Sequence, residues 1–378
     1  MRVGTRRSPA VTKATTTPTT ERKRVLDLPT IEQRAMRWLL PVALGTLGAC
    51  GCAAPGAKPG ATAPSPVTAL HHGPPADFVS AAGLRWLVLV KPQQIFAEPE
   101  LARAIEQIVP SERFDSFTVA SGVDLHELPE AAIAGWAYST LYVAQLPSGV
   151  AALTRARFSE RLLSGARTKH AHPGLYRITG VIGQTPETLV TVDERLLAVA
   201  VGDPVQAKVV EAYAEKRLKN SPTALRGAAL SSLPALAASQ LAVLYAPGPF
   251  ANEWQHAANG LLESTVALSI AVQPIGNGKL ATTIYLAGEW QSAAGDAANR
   301  LAAAWSALAR SSTGQLFELN ETAQVNATTQ LLTLHVELDL AAVVRGLKAS
   351  VLGDLTEILR MPRRTESTPK GPAIDDKP

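Results

Sequence analysis

The chain has 378 residues, 46% of them hydrophobic and 18% charged, with 27 Gly and 27 Pro. That balance excludes a wholly disordered or fibrous protein and leaves room for flexible segments. The two cysteines, Cys50 and Cys52, lie two positions apart near the amino end, so the rest of the chain holds no disulfide framework and no Cys-ligated metal.

Residues 1–35 are polar, basic and rich in Thr, and form either an extension or a stretch upstream of a true start at Met36. Met36-Arg37 then leads into a mostly apolar run, Trp38 to Ala49, that is too short to span a bilayer. Pro41, Gly45 and Gly48 oppose a stable helix there, each by about 1 to 3 kcal/mol. The run ends in Leu47-Gly48-Ala49-Cys50, which resembles the lipobox of bacterial lipoprotein precursors. The resemblance implies that 36–49 is a signal peptide and that Cys50 accepts a diacylglyceryl group and becomes the mature amino terminus, carrying fatty acyl chains such as palmitate. It also implies a lipid anchor in the bacterial cell envelope, and Gly51 in place of Asp leans toward the outer membrane, facing periplasm or surface.

The formal charge of the whole chain is +4, but nine of the 36 basic and three of the 32 acidic residues precede Cys50. The remaining 27 basic and 29 acidic residues give a mature charge of −2, so nucleic-acid binding loses its electrostatic basis.

Residues 50–80 are rich in Pro, Ala and Gly and read as a flexible tether; 362–378 read as a disordered tail. Between them the pattern alternates strands and helices. Leu84 to Val90 places Trp86 and Val88 on one face and Leu87 and Leu89 on the other, as an interior strand would. Helices are expected at Glu98 to Val109 and Ser111 to Ala120, and strands at Ala131 to Ala137, Leu141 to Leu146 and Val150 to Arg155. Ser159 is expected to cap a helix reaching Arg167.

Thr188 to Asp193 and Leu196 to Gly202 read as a hairpin, and Asp203-Pro204 opens a helix with Glu215 and Lys219 spaced as an ion pair. Leu241 to Tyr245 reads as a strand and Trp254 as part of a helix. Alternating apolar residues from Val266 to Val272 and from Leu280 to Leu286 flank Gly276-Asn277-Gly278, a hairpin signature. A helix with Leu301, Trp305 and Leu308 follows, then a strand from Leu332 to Leu338 and a helix capped by Asp339. The whole reads as α+β, a mainly antiparallel sheet with helices packed on one face. Units at 81–246 and 247–361 form two possible divergent repeats, broken near Ala246-Pro247-Gly248-Pro249.

No nucleophile elbow, zinc-protease pair or phosphate loop is present. Ser367-Thr368-Pro369-Lys370 has the spacing of a Ser-x-x-Lys pair, but Pro369 denies it a helical turn. His170-Ala171-His172 could share one side of a strand, with His71-His72 as further ligands, yet no carboxylate or Cys accompanies either pair and no metal or other cofactor is assigned. Trp305 at core spacing reads as packing rather than a glycan platform.

The leading expectation is therefore a non-catalytic envelope lipoprotein, held to the membrane through Cys50, whose α+β domain binds an envelope protein, a glycan or a lipid. Two alternatives remain open. One is an envelope hydrolase without a motif, built on Asp124, His170 and His172. The other is a lipid carrier whose helices grip a curved sheet.

Overall fold

A computed structural model describes residues 69–360 apart from 219, 237–238 and 251–256. Cys50, the signal segment 36–49, Trp254 and the tail 362–378 lie outside the described residues. Twelve strands form one open sheet in the order β11-β12-β10-β9-β8-β1-β2-β3-β7-β6-β5-β4, every pairing antiparallel. The α+β class with a mainly antiparallel sheet is what the chain forms.

The described residues open with an entering segment in which the Leu70 side chain is buried and a 3-10 turn, Pro75–Phe78, follows. Phe78 and Val79 are core residues, so the Pro-rich stretch read as tether up to residue 80 is packed from Leu70 onward. Composition obscured this, because the Pro and Gly of the stretch surround a few apolar side chains that find a covered face. β1 (Trp86–Val90) follows, then α1 (Pro92–Ala97), α2 (Pro99–Ile108) and α3 (Ser111–Ser121). β2 (Ala131–Gly135) and β3 (Ser139–Gln145) return beside β1.

The expected strand at Val150 to Arg155 is a helix, α4 (Val150–Glu160). Its buried residues Ala151, Thr154 and Phe158 recur at helical spacing. The helix expected from Ser159 to Arg167 is instead β4 (Ser164–His172), the outermost strand. It is solvent-exposed from Ser164 to Lys169 and carries no apolar alternation to announce it. β5 (Leu175–Ile182) pairs with it, and β6 (Thr185–Val192) and β7 (Leu196–Gly202) complete this side of the sheet.

α5 (Val205–Ala214) starts where the Asp203 carboxylate accepts the Val205 amide at 2.9 Å. It ends before Glu215, which pairs with Arg217. β8 (Ala242–Pro247) bonds β1 on one side and β9 (Thr265–Gly276) on the other, so the two segments expected as separate units share one ladder. β9 turns through Asn277 (φ 54°) and Gly278 (φ 68°) into β10 (Lys279–Gly288), the hairpin its sequence signals. α6 (Ala294–Arg310), α7 (Ser312–Leu316), β11 (Gln324–Ala327), β12 (Leu331–Asp339) and α8 (Leu340–Arg360) complete the chain. The Asp339 carboxylate caps α8 by accepting the Ala342 amide at 2.8 Å.

Helices occupy both faces of the sheet rather than the single face expected. On the face of Leu87, Leu141, Val143 and Tyr245, α5 and the entering segment build one core. On the other face α6 brings Leu301 and Trp305 onto Leu286, Leu332 and Leu334. α4 lies on that second face too, where Arg155 Nη1 donates to Thr191 Oγ1 at 3.1 Å. The physical reason is that β6 and β7 are apolar on both sides, with Leu189 to Val192 and Leu196 to Ala200 all buried.

Leu141 is fully buried in a strand flanked on both sides, so Leu141→Ala should lower unfolding free energy in urea by about 2 to 5 kcal/mol. Leu308→Ala, at a position 43% exposed, should change it by less than about 0.5 kcal/mol.

Candidate functional site

Backbone ties gather four separate parts of the chain around one cleft of about 530 Å³, open to solvent on one side. The His71 amide donates to the Ala214 carbonyl at 2.7 Å, which fixes the entering chain against the end of α5. The Leu146 amide donates to the Arg195 carbonyl at 2.7 Å and holds the exit of β3 against the β6–β7 turn. Phe78, Leu146 and Leu196, all buried, form an apolar floor, while His71, His72 and Arg195 stand on the walls.

Each imidazole faces a carboxylate. His71 Nε2 lies 3.5 Å from Asp77 Oδ2 and His72 Nε2 lies 3.1 Å from Asp193 Oδ2. Behind the cleft, burial pushes the Glu130 carboxyl above its usual range, Lys91 pulls it back, and Asp77 adds to the rise. The lining mixes polar and apolar surface.

A second feature lies on the opposite face of the sheet. A cross-strand row runs Ile284, Ile270, Leu244, Val88, Ile133, Tyr142, one residue per strand. All six are only partly buried, between the cover of α6 on one side and α4 on the other. Glu187 on β6 borders this row: it is 6% exposed, and its Oε2 accepts no hydrogen bond. Burial drives the Glu187 carboxyl up to about 7 against the opposing pull of Arg161. Burial also raises the Tyr142 phenol, and the Glu187 charge adds to it. The rise in Glu187 leaves no distinct trace in the sequence, where Pro186-Glu187-Thr188 reads as an ordinary strand start; Arg195 and His72 are likewise visible only once the fold brings them to one wall.

The residues of the expected hydrolase do not converge. Asp124 precedes β2, whereas His170 and His172 lie on β4, five strands along, or about 24 Å at the usual strand spacing. Burial alone would raise the Asp124 carboxyl, but the His126 amide at 2.9 Å and ring Nδ1 at 2.8 Å bring it below its usual range. A register shift between His170 and His172 breaks their alternation, and His172 Nδ1 sits 2.6 Å from the Pro173 carbonyl. Among the described residues no group of three or more His, Cys, Asp or Glu side chains is placed to hold a metal ion. Trp290 and Trp305 are buried in the α6 core rather than lining a cleft. No helix among the described residues is long and apolar enough to cross a membrane.

Glu187 sets a pH dependence. Its folded-state value lies above the ordinary 4.5, so the stability it allows is complete below pH about 4.5 and is lost as pH rises through about 7. Glu187→Gln should therefore match the parent near pH 4 and exceed it by about 3 kcal/mol near pH 8. Urea unfolding at the two pH values measures the difference, and a gap independent of pH would contradict it.

No protein-family model matches the chain, and no curated protein matches it. Two solved structures resemble it in outline. The structure of crystal form III of TP0453 is 12% identical with a TM-score of 0.44, over 74% of this chain and 99% of that one. Crystal form I of TP0453 is 11% identical with a TM-score of 0.38, over 73% and 97%.

Proposed function

We propose that the chain is a non-catalytic binding module of the bacterial cell envelope, anchored through acylated Cys50 and carrying its ligand site in the cleft beside Leu70. The observation that carries this reading is the position of the cleft: its wall, His71 to Phe78, begins 21 positions after the lipobox-type cysteine. On the reading of this stretch as a tether, the roughly twenty residues from Cys50 to Leu70 give a reach of roughly 25 Å by coil statistics. The module then works within a short reach of the outer membrane, on a partner in the periplasm or at the surface. The wide separation of Asp124 from His172 removes the constellation on which a hydrolase reading depended.

A second reading, an amphiphile carrier, is favoured by the partly buried row from Ile284 to Tyr142, since apolar side chains left half covered between two helices offer a bed for an acyl chain. Mass spectrometry of organic extracts from the purified protein should then recover stoichiometric acyl chains, and an empty extract would count against that reading.

The anchoring is tested by Cys50→Ser. The parent should float with membranes in a density gradient, and the variant should stay in the soluble fraction. Equal flotation of both would remove the anchor from the account.

A further inference from the structure

We propose that the cleft takes an anionic small ligand, a carboxylate or phosphate group on an apolar body, and that Arg195 captures its charge. This rests on the reading of the chain as a binding module and names the ligand class for it.

The β6–β7 turn is built at a local cost. Asp193 and Glu194 both adopt left-handed backbone angles, φ 44° and 55°, where Asn-Gly is the usual solution and an L side chain costs about 1 to 2 kcal/mol. Contacts from outside the turn hold it there. The Asp193 amide donates to the Gly174 carbonyl at 2.8 Å, and its carboxylate faces His72. Gly174 in the neighbouring turn has φ 84°, which favours glycine, and a Cβ there would crowd Asp193 Oδ1. The Glu194 carboxylate accepts from Arg155 Nη2 at 3.1 Å, and the Arg155 guanidinium lies 4.3 Å over the Tyr176 ring.

A strained turn over-determined by its surroundings marks a place where position matters. What this one positions is Arg195, on the cleft wall. Of the carboxylates around it, Asp77 and Asp193 each face an imidazole and Glu194 accepts from Arg155. The Arg195 side chain is exposed and has no carboxylate partner among the described residues. A guanidinium presents paired N–H donors that fit a carboxylate or phosphate. Pro74 and Pro129, exposed in the lining of the cleft, offer apolar surface to an apolar body, and burying it adds about 25 cal/mol per Å².

Such an anion could arrive as a free small molecule or as a lipid headgroup, and the test separates the two. Calorimetric titration and thermal shift on the full chain use inorganic phosphate and benzoate as soluble probes; sedimentation uses phosphatidylglycerol and phosphatidylcholine vesicles. Benzoate should bind more tightly than phosphate, Arg195→Ala should weaken binding at least tenfold, and Arg195→Lys should restore part of it. Arg345→Ala, which breaks a surface pair with Glu318, should leave binding unchanged. Sedimentation by phosphatidylglycerol alone, lost in Arg195→Ala, would make the anion a headgroup. Failure of every anionic probe to bind, or equal binding by Arg195→Ala and the parent, overturns the proposal. A neutral ligand found in the cleft would overturn the anion assignment and leave the binding module standing.

Discussion

The antiparallel pairing of β1 with β8 is the contact on which the remaining architecture depends. Leu87 to Val90 meet Ala242 to Tyr245 there, and through that ladder seven strands from the first part of the chain and five from the second become one sheet. The pairing is non-local, and closing it orders more than 150 intervening residues, so it is favourable only once both neighbours are formed. Leu87 and Tyr245, opposite one another and almost fully buried, supply the apolar contact that fixes the register.

The main cores lie on opposite faces at the two sides of the sheet. Near the β6 side, α5 and the entering segment fill the face of Leu87, and near the β12 side α6 fills the other. Between them the row from Ile284 to Tyr142 is left only partly covered. The cleft lies at the rim of the first core, where the chain enters and where β3, β6 and β7 end, so its walls are loops and turns held by strands behind them. A strained turn is tolerated there because β6 and β7, buried on both faces, are stiff enough to hold it.

Much of the fold was legible from local patterns. The β9–β10 hairpin carries its turn residues Asn277-Gly278 between alternating apolar positions, and the caps of α5 and α8 are Asp203 and Asp339, as the sequence indicates. What failed did so for identifiable reasons. β4 is a polar edge strand whose exposed side chains show no period, and α4 begins with Val-Ala-Ala-Leu-Thr, which fits a strand as well as a helix until the burial of Phe158 is known. The site was less legible than the fold. Arg195 and His72 stand 123 positions apart in sequence, and the raised Glu187 carboxyl follows from burial that no local pattern encodes. The histidines that did stand out, His170 and His172, lie on an edge strand far from Asp124.

The proposed function joins an anchor at Cys50 to a cleft beside Leu70, and acylation of Cys50 is its central claim. Intact-mass analysis of the protein purified from its native membrane tests it most directly. The account predicts a chain beginning at Cys50 and heavier than its sequence by a diacylglyceryl group, with or without an additional acyl chain. An unmodified chain that begins upstream of Cys50 would contradict it.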